Sequence, residues 1–277
     1  MVERARSLLP SADVPCRLGR NAIDIPFSAE KAADQRALGN CLRQLANGID
    51  VVLQPVANRR KKLFVADMDS TMIRQECIDE LADYVGLKAH VAAITERAMR
   101  GDIAFEPALR ERVALLKGLP VKAIDEVIDQ KIRLTPGGRT LVATMRANGA
   151  FTCMVSGGFT LFTNRIAAMI GFDETHANIL ALEGDRLAGT VVEPIFGRDK
   201  KRAALVSLRE RLTLGKDETL VAGDGANDLD MILEAGLGIA YHAKPKVADA
   251  ASARIDHSDL TALLYVQGYQ QKEFAPA

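Results

Sequence analysis

Three short apolar runs without polar alternation stand out along the chain, and each ends in small or acidic residues. They are KLFVAD at 62–67, FTCMVSGG at 151–158 and ETLVAGDG at 218–225. Such runs are typical of parallel strands that are buried on both faces of a sheet. Helical patterns follow over 138–148, 160–170, 200–212 and 228–235. The alternation predicts an α/β fold with a doubly wound, Rossmann-like parallel sheet, whose ligand crevice lies at the carboxyl ends of the strands.

The segment over 77–134 has a helical pattern almost throughout, broken at Gly101 and at Gly118-Leu119-Pro120. This is more helix than one crossover between strands needs, so we expect a helical cap inserted after the first strand. A cap above the crevice would select the substrate and exclude water. The expected catalytic core then comprises residues 61–76 and 135–277.

Residues 1–60 carry a weaker pattern. Short strands are indicated within 14–27 and a helix over 30–47, which together predict a small α/β appendage. The basic run Arg59-Arg60-Lys61-Lys62 marks the end of this segment. We interpret the run as a solvated linker rather than a nucleic-acid patch, because charge runs are usually exposed.

Composition narrows the class of protein. The chain has 277 residues, and 36 Lys and Arg balance 36 Asp and Glu, so no excess of positive charge indicates a nucleic-acid partner. Its four cysteines, Cys16, Cys41, Cys77 and Cys153, form no CxxC pair and are interpreted as reduced thiols. The amino-terminal apolar run is too short for a signal peptide, and no apolar span of membrane length follows. We therefore expect a cytoplasmic protein without a membrane partner.

Acidic side chains follow two of the predicted strands. Asp67 and Asp69 leave the first strand on the same side, and their repulsion calls for a hard cation such as Mg²⁺. By itself this pair also fits an Asx-rich turn that ends a strand. Asp224, Asn227 and Asp228, in GDGAND, follow another buried strand and strengthen the case for a metal site. Asn227 and Asp228 are expected to begin a helix and to act as ligands or as support for the ligands.

Two weaker signals indicate binding of a phosphate group. Ser156-Gly157-Gly158 lies between a strand and a helix, where backbone N–H groups and the serine hydroxyl can hold an anion. Lys200 and Lys201 open a helix upstream of GDGAND, and one of the two ammonium groups could neutralise phosphate oxygens. Two lysines at a helix start are usually solvated, so the residues alone leave this choice open.

DMDST, SGG, a downstream lysine and GDGAND, in this order, resemble the haloacid dehalogenase superfamily of phosphohydrolases. The resemblance covers about residues 62–265 and implies that superfamily's fold, with a doubly wound core and a cap. The cap stretches around Glu76, Phe105, Arg110 and Arg112 are similar to those of members that hydrolyse phosphoserine. GLGIAYHAKPKV, at 236–247, resembles their carboxyl-terminal segment.

The resemblance implies a role for each matching residue. Asp67 would be the nucleophile that becomes an aspartyl-phosphate, and Asp69 the general acid and then the general base. Mg²⁺ would be held by Asp67, the backbone carbonyl of Asp69 and Asp224, with Asp228 nearby. Phosphate would contact Ser156, Gly157 and Lys201, and Lys201 fits the family spacing better than Lys200. Glu76 would bind the ammonium group of phosphoserine and Arg112 its carboxylate, with Asn227 supporting the site.

The implied activity is hydrolysis of phosphoserine, the last step of serine biosynthesis, and alternatives remain open. The same mechanism could act on another small phosphomonoester, such as homoserine phosphate, or transfer the phosphoryl group to an alcohol. An ion-pump domain also forms an aspartyl-phosphate, but Asp69 promotes hydrolysis and no membrane span is present. A catalytically silent binding protein on the same fold is the alternative outside the enzymes.

Overall fold

The computed structural model describes residues 2–28, 35–100 and 102–276. Its amino-terminal part comprises helix α1 (Val2–Leu8), strands β1 (Cys16–Arg17) and β2 (Ile23–Asp24), and helix α2 (Gln35–Leu45). The two strands form an antiparallel pair and lie within residues 14–27, where short strands were expected. The helix expected over 30–47 is observed as α2, and residues 29–34 lie outside the described residues. Helix α1 was not predicted.

The interpretation of the basic run as a solvated linker is wrong for Arg59 and Lys61, whereas Arg60 and Lys62 are exposed. Lys61 is only 7% exposed, and its Nζ atom donates hydrogen bonds to the carbonyl oxygens of Asn58 and Asp217. The guanidinium of Arg59 makes a two-pronged ion pair with Asp24 of β2. These side chains therefore attach the amino-terminal segment to the rest of the protein, a use of charge that a sequence pattern does not reveal.

A six-stranded parallel sheet forms the centre of the protein, and the predicted doubly wound fold is confirmed. Its strands are β3 (Leu63–Asp67), β4 (Phe151–Phe159), β5 (Glu174–Asn178), β8 (Thr219–Gly223), β9 (Leu237–Tyr241) and β10 (Ala253–Ile255). Their order across the sheet is β10-β9-β8-β3-β4-β5. From β3 the chain builds outward through β4 and β5, then returns to β8 and builds in the other direction. This reversal opens a crevice at the carboxyl end of β3.

The apolar runs form central strands because both faces of the sheet are covered by helices. Every residue of β3, β8 and β9 is buried. The covering helices are α7 (Gly138–Ala147), α8 (Thr160–Ile170), α9 (Arg198–Arg211), α10 (Leu229–Glu234), α11 (Pro245–Ala250) and α12 (Ala262–Val266). Helix α10 begins one residue later than predicted, and Asp228 occupies its N-cap position.

The predicted helical insertion lies between β3 and β4. A π-helical turn (Met68–Met72) follows β3 and leads to α3 (Cys77–Tyr84), α4 (Lys88–Arg100), α5 (Phe105–Ala114) and α6 (Lys122–Gln130). Amphipathic spacing explains their packing: in α6 the buried residues are Ala123, Ile124, Val127 and Ile128, which share one face. The chain enters and leaves the insertion side by side, since Ile73 and Leu134 form an isolated antiparallel bridge. The predicted break at Gly101 lies outside the described residues.

A two-stranded hairpin, absent from the sequence prediction, joins the core to this insertion. It consists of β6 (Leu180–Glu183) and β7 (Arg186–Val191), between β5 and α9. The backbone N–H of Gly118 donates to the carbonyl of Leu187, and the N–H of Leu187 donates to the carbonyl of Leu119. Arg110 of α5 also forms an ion pair with Glu193, just after β7. The hairpin thus holds the loop between α5 and α6.

No helix within residues 2–28, 35–100 and 102–276 is long and apolar enough to cross a bilayer.

Candidate active site

The polar ends of three neighbouring strands meet at the crevice beside β3. Asp67 is the last residue of β3, Ser156 lies in β4, and Asp224 directly follows β8. Strands β4 and β8 pair with β3 on its two sides, in parallel register. The sequence motifs are therefore brought together because parallel neighbouring strands end at the same edge of the sheet.

A buried ammonium group lies between two carboxylates at the centre of the site. The Nζ atom of Lys201 is 2.8 Å from Oδ1 of Asp67 and 2.7 Å from Oδ1 of Asp228. Burial lowers the pKa of Lys201, but the two carboxylates outweigh this effect and raise it above the usual value. Lys201 therefore stays charged. Lys200, its neighbour on α9, is exposed, so only one member of the lysine pair reaches the site.

One oxygen of Asp67 is held in place, and the other is available for chemistry. The backbone N–H of Met68 donates to Oδ1 at 2.7 Å, and Lys201 contacts the same oxygen. Burial and the charge of Asp228 raise the pKa of Asp67, and Lys201 opposes the rise. Both of these contacts fall on Oδ1, so neither of them engages Oδ2.

The GDGAND loop folds around the side chain of Asp228. Its Oδ2 atom accepts hydrogen bonds from the backbone N–H groups of Asp224 and Gly225, while Oδ1 faces Lys201. A Cβ atom on Gly223 would lie 2.6 Å from the Asp228 side chain, so glycine is needed there. A Cβ atom on Gly225 would lie 2.2 Å from Oδ1 of Asn227, which places this amide against the loop. Both oxygens of Asp228 are thus engaged by protein donors.

The carboxylate of Asp69 is held by two donors that do not contact Asp67 or Asp228. Its Oδ1 accepts the backbone N–H of Cys77 at 2.8 Å, and its Oδ2 accepts the hydroxyl of Ser156 at 3.1 Å. Burial raises its pKa, and the hydrogen bonds from Cys77 and Ser156 oppose the rise. A raised pKa is the direction in which a carboxyl group becomes better suited to donate a proton as a general acid.

The SGG segment is closely packed on both sides. The Ser156 hydroxyl accepts the N–H of Gly158, and a Cβ atom on Gly158 would lie 3.1 Å from Oδ2 of Asp69. A Cβ atom on Gly157 would lie 3.3 Å from the ring of Phe105, which comes from α5. Helix α8 begins at Thr160, directly after this segment. The segment therefore offers backbone N–H groups close to both Asp69 and the aromatic ring of Phe105.

The two residues expected to recognise an amino acid lie on the inserted helices. Oε1 of Glu76 accepts the Ser70 hydroxyl at 2.7 Å, at the N-cap position of α3. Surrounding protein atoms and the charge of Asp69 raise the pKa of Glu76 to about 7. Arg112, in the last turn of α5, donates from Nε to the Ala108 carbonyl at 3.2 Å. Its half-buried guanidinium belongs to the same charged neighbourhood, because Glu76 and Asp69 both act on its pKa.

Two residues of the site were missed by the sequence analysis. Thr71 is fully buried and donates from its hydroxyl to Oδ1 of Asp224 at 3.3 Å. Asn178, at the end of β5, donates to the carbonyls of Gly157 and Phe196 and accepts the N–H of Phe196. Thr71 lies within the quoted DMDST motif, and its position there was the available signal. Asn178 carried no signal, because β5 was not predicted.

The acidic groups fit a divalent cation. Carboxylate oxygens of Asp67, Asp224 and Asp228 all lie within 4.8 Å of one another. Burial and, after it, the charge of Asp228 raise the pKa of Asp224 to about 6, so the protein alone disfavours the charged form of this carboxyl. Oxygen donors are the ligands preferred by Mg²⁺. The donor set therefore suits a hard divalent cation.

Comparison with known proteins identifies the class to which this fold and site belong. The haloacid dehalogenase-like hydrolase family matches residues 64–233, and the chain belongs to this family. The resemblance stated from the motifs is confirmed.

Among individual proteins, the chain is similar to enzymes named as phosphoserine phosphatases. It is 46% identical to the phosphoserine phosphatase of a Polaromonas species over 208 residues, which cover 73% of this chain and 88% of the relative. A solved structure of a phosphoserine phosphatase with an analogue of the phospho-aspartyl intermediate is 35% identical, with a TM-score of 0.69. That match covers 74% of this chain and 98% of the other.

A second solved structure extends the similarity to the amino-terminal segment. It is a haloacid dehalogenase family hydrolase from Salmonella enterica serovar Typhi, 29% identical, with a TM-score of 0.86. The match covers 96% of this chain and 93% of that chain. The amino-terminal segment is thus part of an arrangement found in another member of the family.

Proposed function

We propose that the protein hydrolyses O-phospho-L-serine to L-serine and phosphate through a covalent intermediate on Asp67. The observation that carries the proposal is the buried pair of Asp67 and Lys201 at the crevice, beside the SGG segment. This pair supplies a fixed nucleophile next to a permanent positive charge. The similarity to named phosphoserine phosphatases supports this substrate, and L-serine as product corresponds to the end of serine biosynthesis.

The reaction would proceed in two displacements. In the first, Oδ2 of Asp67 attacks phosphorus, the bond from phosphorus to the seryl oxygen breaks, and Asp69 donates a proton to the departing oxygen. In the second, Asp69 removes a proton from water, the water oxygen attacks phosphorus, and Asp67 is released. Asp69 is suited to both steps because its carboxyl is fixed by Cys77 and Ser156 at the edge of the same crevice.

Phosphate recognition falls to the SGG segment and to Lys201. Backbone N–H groups near Gly157 can donate to phosphoryl oxygens at the start of α8. The hydroxyl of Ser156 would join them by exchanging its present acceptor, Oδ2 of Asp69, for a phosphoryl oxygen. The ammonium of Lys201 would neutralise charge that develops on the phosphoryl group, and it favours the ionised form of Asp67. Asn178 supports this arrangement, since its bonds to Gly157 and Phe196 fix the segment from two sides.

We propose Mg²⁺ as the cofactor. Asp67, Asp224 and the backbone carbonyl of Asp69 would hold it, and it would supply positive charge that offsets the phosphate and the carboxylates. Asp228 is assigned a supporting role, because Lys201 and two backbone N–H groups already occupy both of its oxygens. Asn227 is assigned to the same supporting group, because it packs against Gly225.

Selection of an amino-acid phosphate is assigned to the inserted helices. Glu76 would accept the substrate ammonium group and Arg112 would bind its carboxylate, since a guanidinium can grip a carboxylate through two N–H groups. We retain the division into an appendage over 1–60, a core over 61–76 and 135–277, and a cap over 77–134. In this division Phe105 belongs to the cap and lies beside the SGG segment of the core, where its ring covers Gly157.

The test is phosphate release from O-phospho-L-serine, O-phosphothreonine, homoserine phosphate, glycerol phosphate and an aryl phosphate, each with Mg²⁺ and with EDTA. We expect metal-dependent turnover with a strong preference for phosphoserine. Asp67→Asn should abolish turnover, whereas Asp230→Asn, which removes a surface carboxylate paired with Arg198, should not. Metal-dependent activity without a preference for phosphoserine would overturn the assignment of phosphoserine as the substrate. Turnover by Asp67→Asn would overturn the covalent mechanism.

A further inference from the structure

A buried carboxylate oxygen without a partner lies on the helix that follows Glu76. Asp79 is in the first turn of α3, and its Oδ1 atom is buried with no hydrogen-bond partner within the described part of the chain. Leaving a charged acceptor unsatisfied costs stability, so such an atom usually has a function. No step of the proposed reaction uses it.

Arg112 is the positive group that acts on Asp79 most strongly. Burial raises the pKa of Asp79, and the charge of Arg112 is the largest influence opposing the rise. Conversely, burial lowers the pKa of Arg112, and the charge of Asp79 is the largest influence opposing that change. Lys88 is the other nearby cation, but it is exposed and already faces Glu80 and Asp83. Asp79 on α3 and Arg112 on α5 are thus complementary charges on two helices that both pack against α4.

The guanidinium of Arg112 is only loosely fixed by its own hydrogen bonds. Nε donates to the carbonyl of Ala108 at 3.2 Å, and Nη1 donates to the hydroxyl of Thr95 at 3.4 Å. Both acceptors are neutral and both distances are long, whereas bonds between a guanidinium and a carboxylate are shorter and stronger. A two-pronged grip on a substrate carboxylate requires a fixed guanidinium plane. These two contacts alone leave that plane free to turn.

We propose that Asp79 is a positioning residue for substrate specificity, whose Oδ1 accepts an N–H of Arg112 when substrate binds and fixes the guanidinium toward the substrate carboxylate. This inference rests on the proposed function, in which Arg112 binds that carboxylate. Asp79 itself would not touch the substrate. Its effect would therefore be confined to phosphate esters that carry a carboxylate group.

The test compares kcat and KM of Asp79→Asn on three substrates. L-phosphoserine carries both an ammonium and a carboxylate, O-phosphoethanolamine lacks the carboxylate, and 4-nitrophenyl phosphate lacks both. We expect KM for L-phosphoserine to rise by about tenfold or more, because one charge-assisted hydrogen bond is lost. The kcat for that substrate, and KM for the other two, should stay within about twofold, as expected for a group acting only through Arg112.

A matched control and a double variant complete the experiment. Glu80→Gln removes the neighbouring carboxylate on α3, which faces Lys88, and should leave all three KM values unchanged. In an Arg112→Ala background, Asp79→Asn should raise KM for L-phosphoserine no further, because the two residues act as one unit. An additional increase in that background would overturn the proposal.

The remaining outcomes separate this inference from the proposed function. If Asp79→Asn weakens all three substrates alike and lowers Tm, Asp79 is structural and the inference fails. If it raises KM for O-phosphoethanolamine as well, Asp79 acts on the ammonium group and the inference also fails. A wild-type protein that does not distinguish L-phosphoserine from O-phosphoethanolamine would overturn the substrate assignment, and the role of Asp79 with it.

Discussion

The Nζ atom of Lys201 lies 2.8 Å from Oδ1 of Asp67, and neither side chain is more than 6% exposed. In a water-poor site this contact both holds the carboxylate of Asp67 and neutralises its charge. The charge of Lys201 is therefore part of the stability of the site as well as of its chemistry.

Replacing this lysine should affect catalysis and stability together. Lys201→Met leaves Asp67 and Asp228 buried without their shared cation, so we expect kcat to fall by about a hundredfold or more. Asp67 then gains a proton more readily in the folded state, because Lys201 is the cation that opposes the rise of its pKa. A group with a raised folded pKa loses its stabilising contribution as pH rises. The decrease in Tm relative to wild type should thus be larger at pH 8 than at pH 6.

Lys200→Met is the matched control for this variant. It removes the same charge from the adjacent position of α9, but Lys200 is exposed. Activity and Tm should remain close to those of the wild type at both pH values. Equal losses in the two variants would contradict the assignment of Lys201 as the lysine of the site.

Recognition of the ammonium group should depend on pH through Glu76. Its pKa is about 7, so its negative charge is present above that pH and is lost as pH falls. We expect the ratio of kcat/KM for phosphoserine to that for an aryl phosphate to fall by up to about tenfold per pH unit below pH 7. Taking the ratio corrects for ionisation of the phosphate group, which both substrates share.

A Glu76→Gln variant provides the control for this pH dependence. It keeps the size of the side chain and cannot titrate, so the ratio should be low and flat between pH 5.5 and pH 8. A ratio in the variant that still follows the wild-type profile would assign the titration to another group.

Close packing at the SGG segment gives a steric prediction. Gly158→Ala would place a Cβ atom 3.0 Å from the Ser156 hydroxyl oxygen and 3.1 Å from Oδ2 of Asp69. Displacing these groups should lower kcat by about tenfold to a hundredfold, since small errors in the position of a catalytic group are costly. Steady-state kinetics with saturating substrate would measure the effect.

Gly39→Ala tests whether any added methyl group would have the same consequence. Gly39 lies inside α2, and its nearest neighbour is the flexible end of Arg43 at 3.5 Å. Alanine there should leave kcat unchanged and stabilise the helix by up to about 1 kcal/mol. A comparable loss of kcat in both variants would show that the effect does not arise at Asp69.

The sequence predicted the position of a residue best where that position depends only on the strand to which the residue belongs. The runs that became β3, β4 and β8 were predicted because central parallel strands are apolar on both faces. The convergence of Asp67, Ser156 and Asp224 followed from the rule that parallel strands end at a common edge. The position of Lys201 was indicated only by family spacing, because a helical lysine carries no local signal that it is buried.

Long-range partners could not be predicted in the same way. The hydrogen bonds of Asn178 depend on β5, whose residues are only partly buried over most of its length and show no apolar run. The basic run at Arg59 was misinterpreted because its partner Asp24 is distant in sequence. The lack of a partner for Oδ1 of Asp79 likewise results from the way the helices pack, and the spacing of apolar residues along the chain does not reveal that packing.

The hairpin of β6 and β7 determines which segments of the chain must be exchanged together to transfer substrate specificity between relatives. A chimera that replaced only residues 77–134 would separate the N–H groups of Gly118 and Val121 from their acceptors on Leu187 and Asp185. The transferable unit is therefore discontinuous: the inserted helices together with residues 180–191, which lie far away in the gene but adjacent in space.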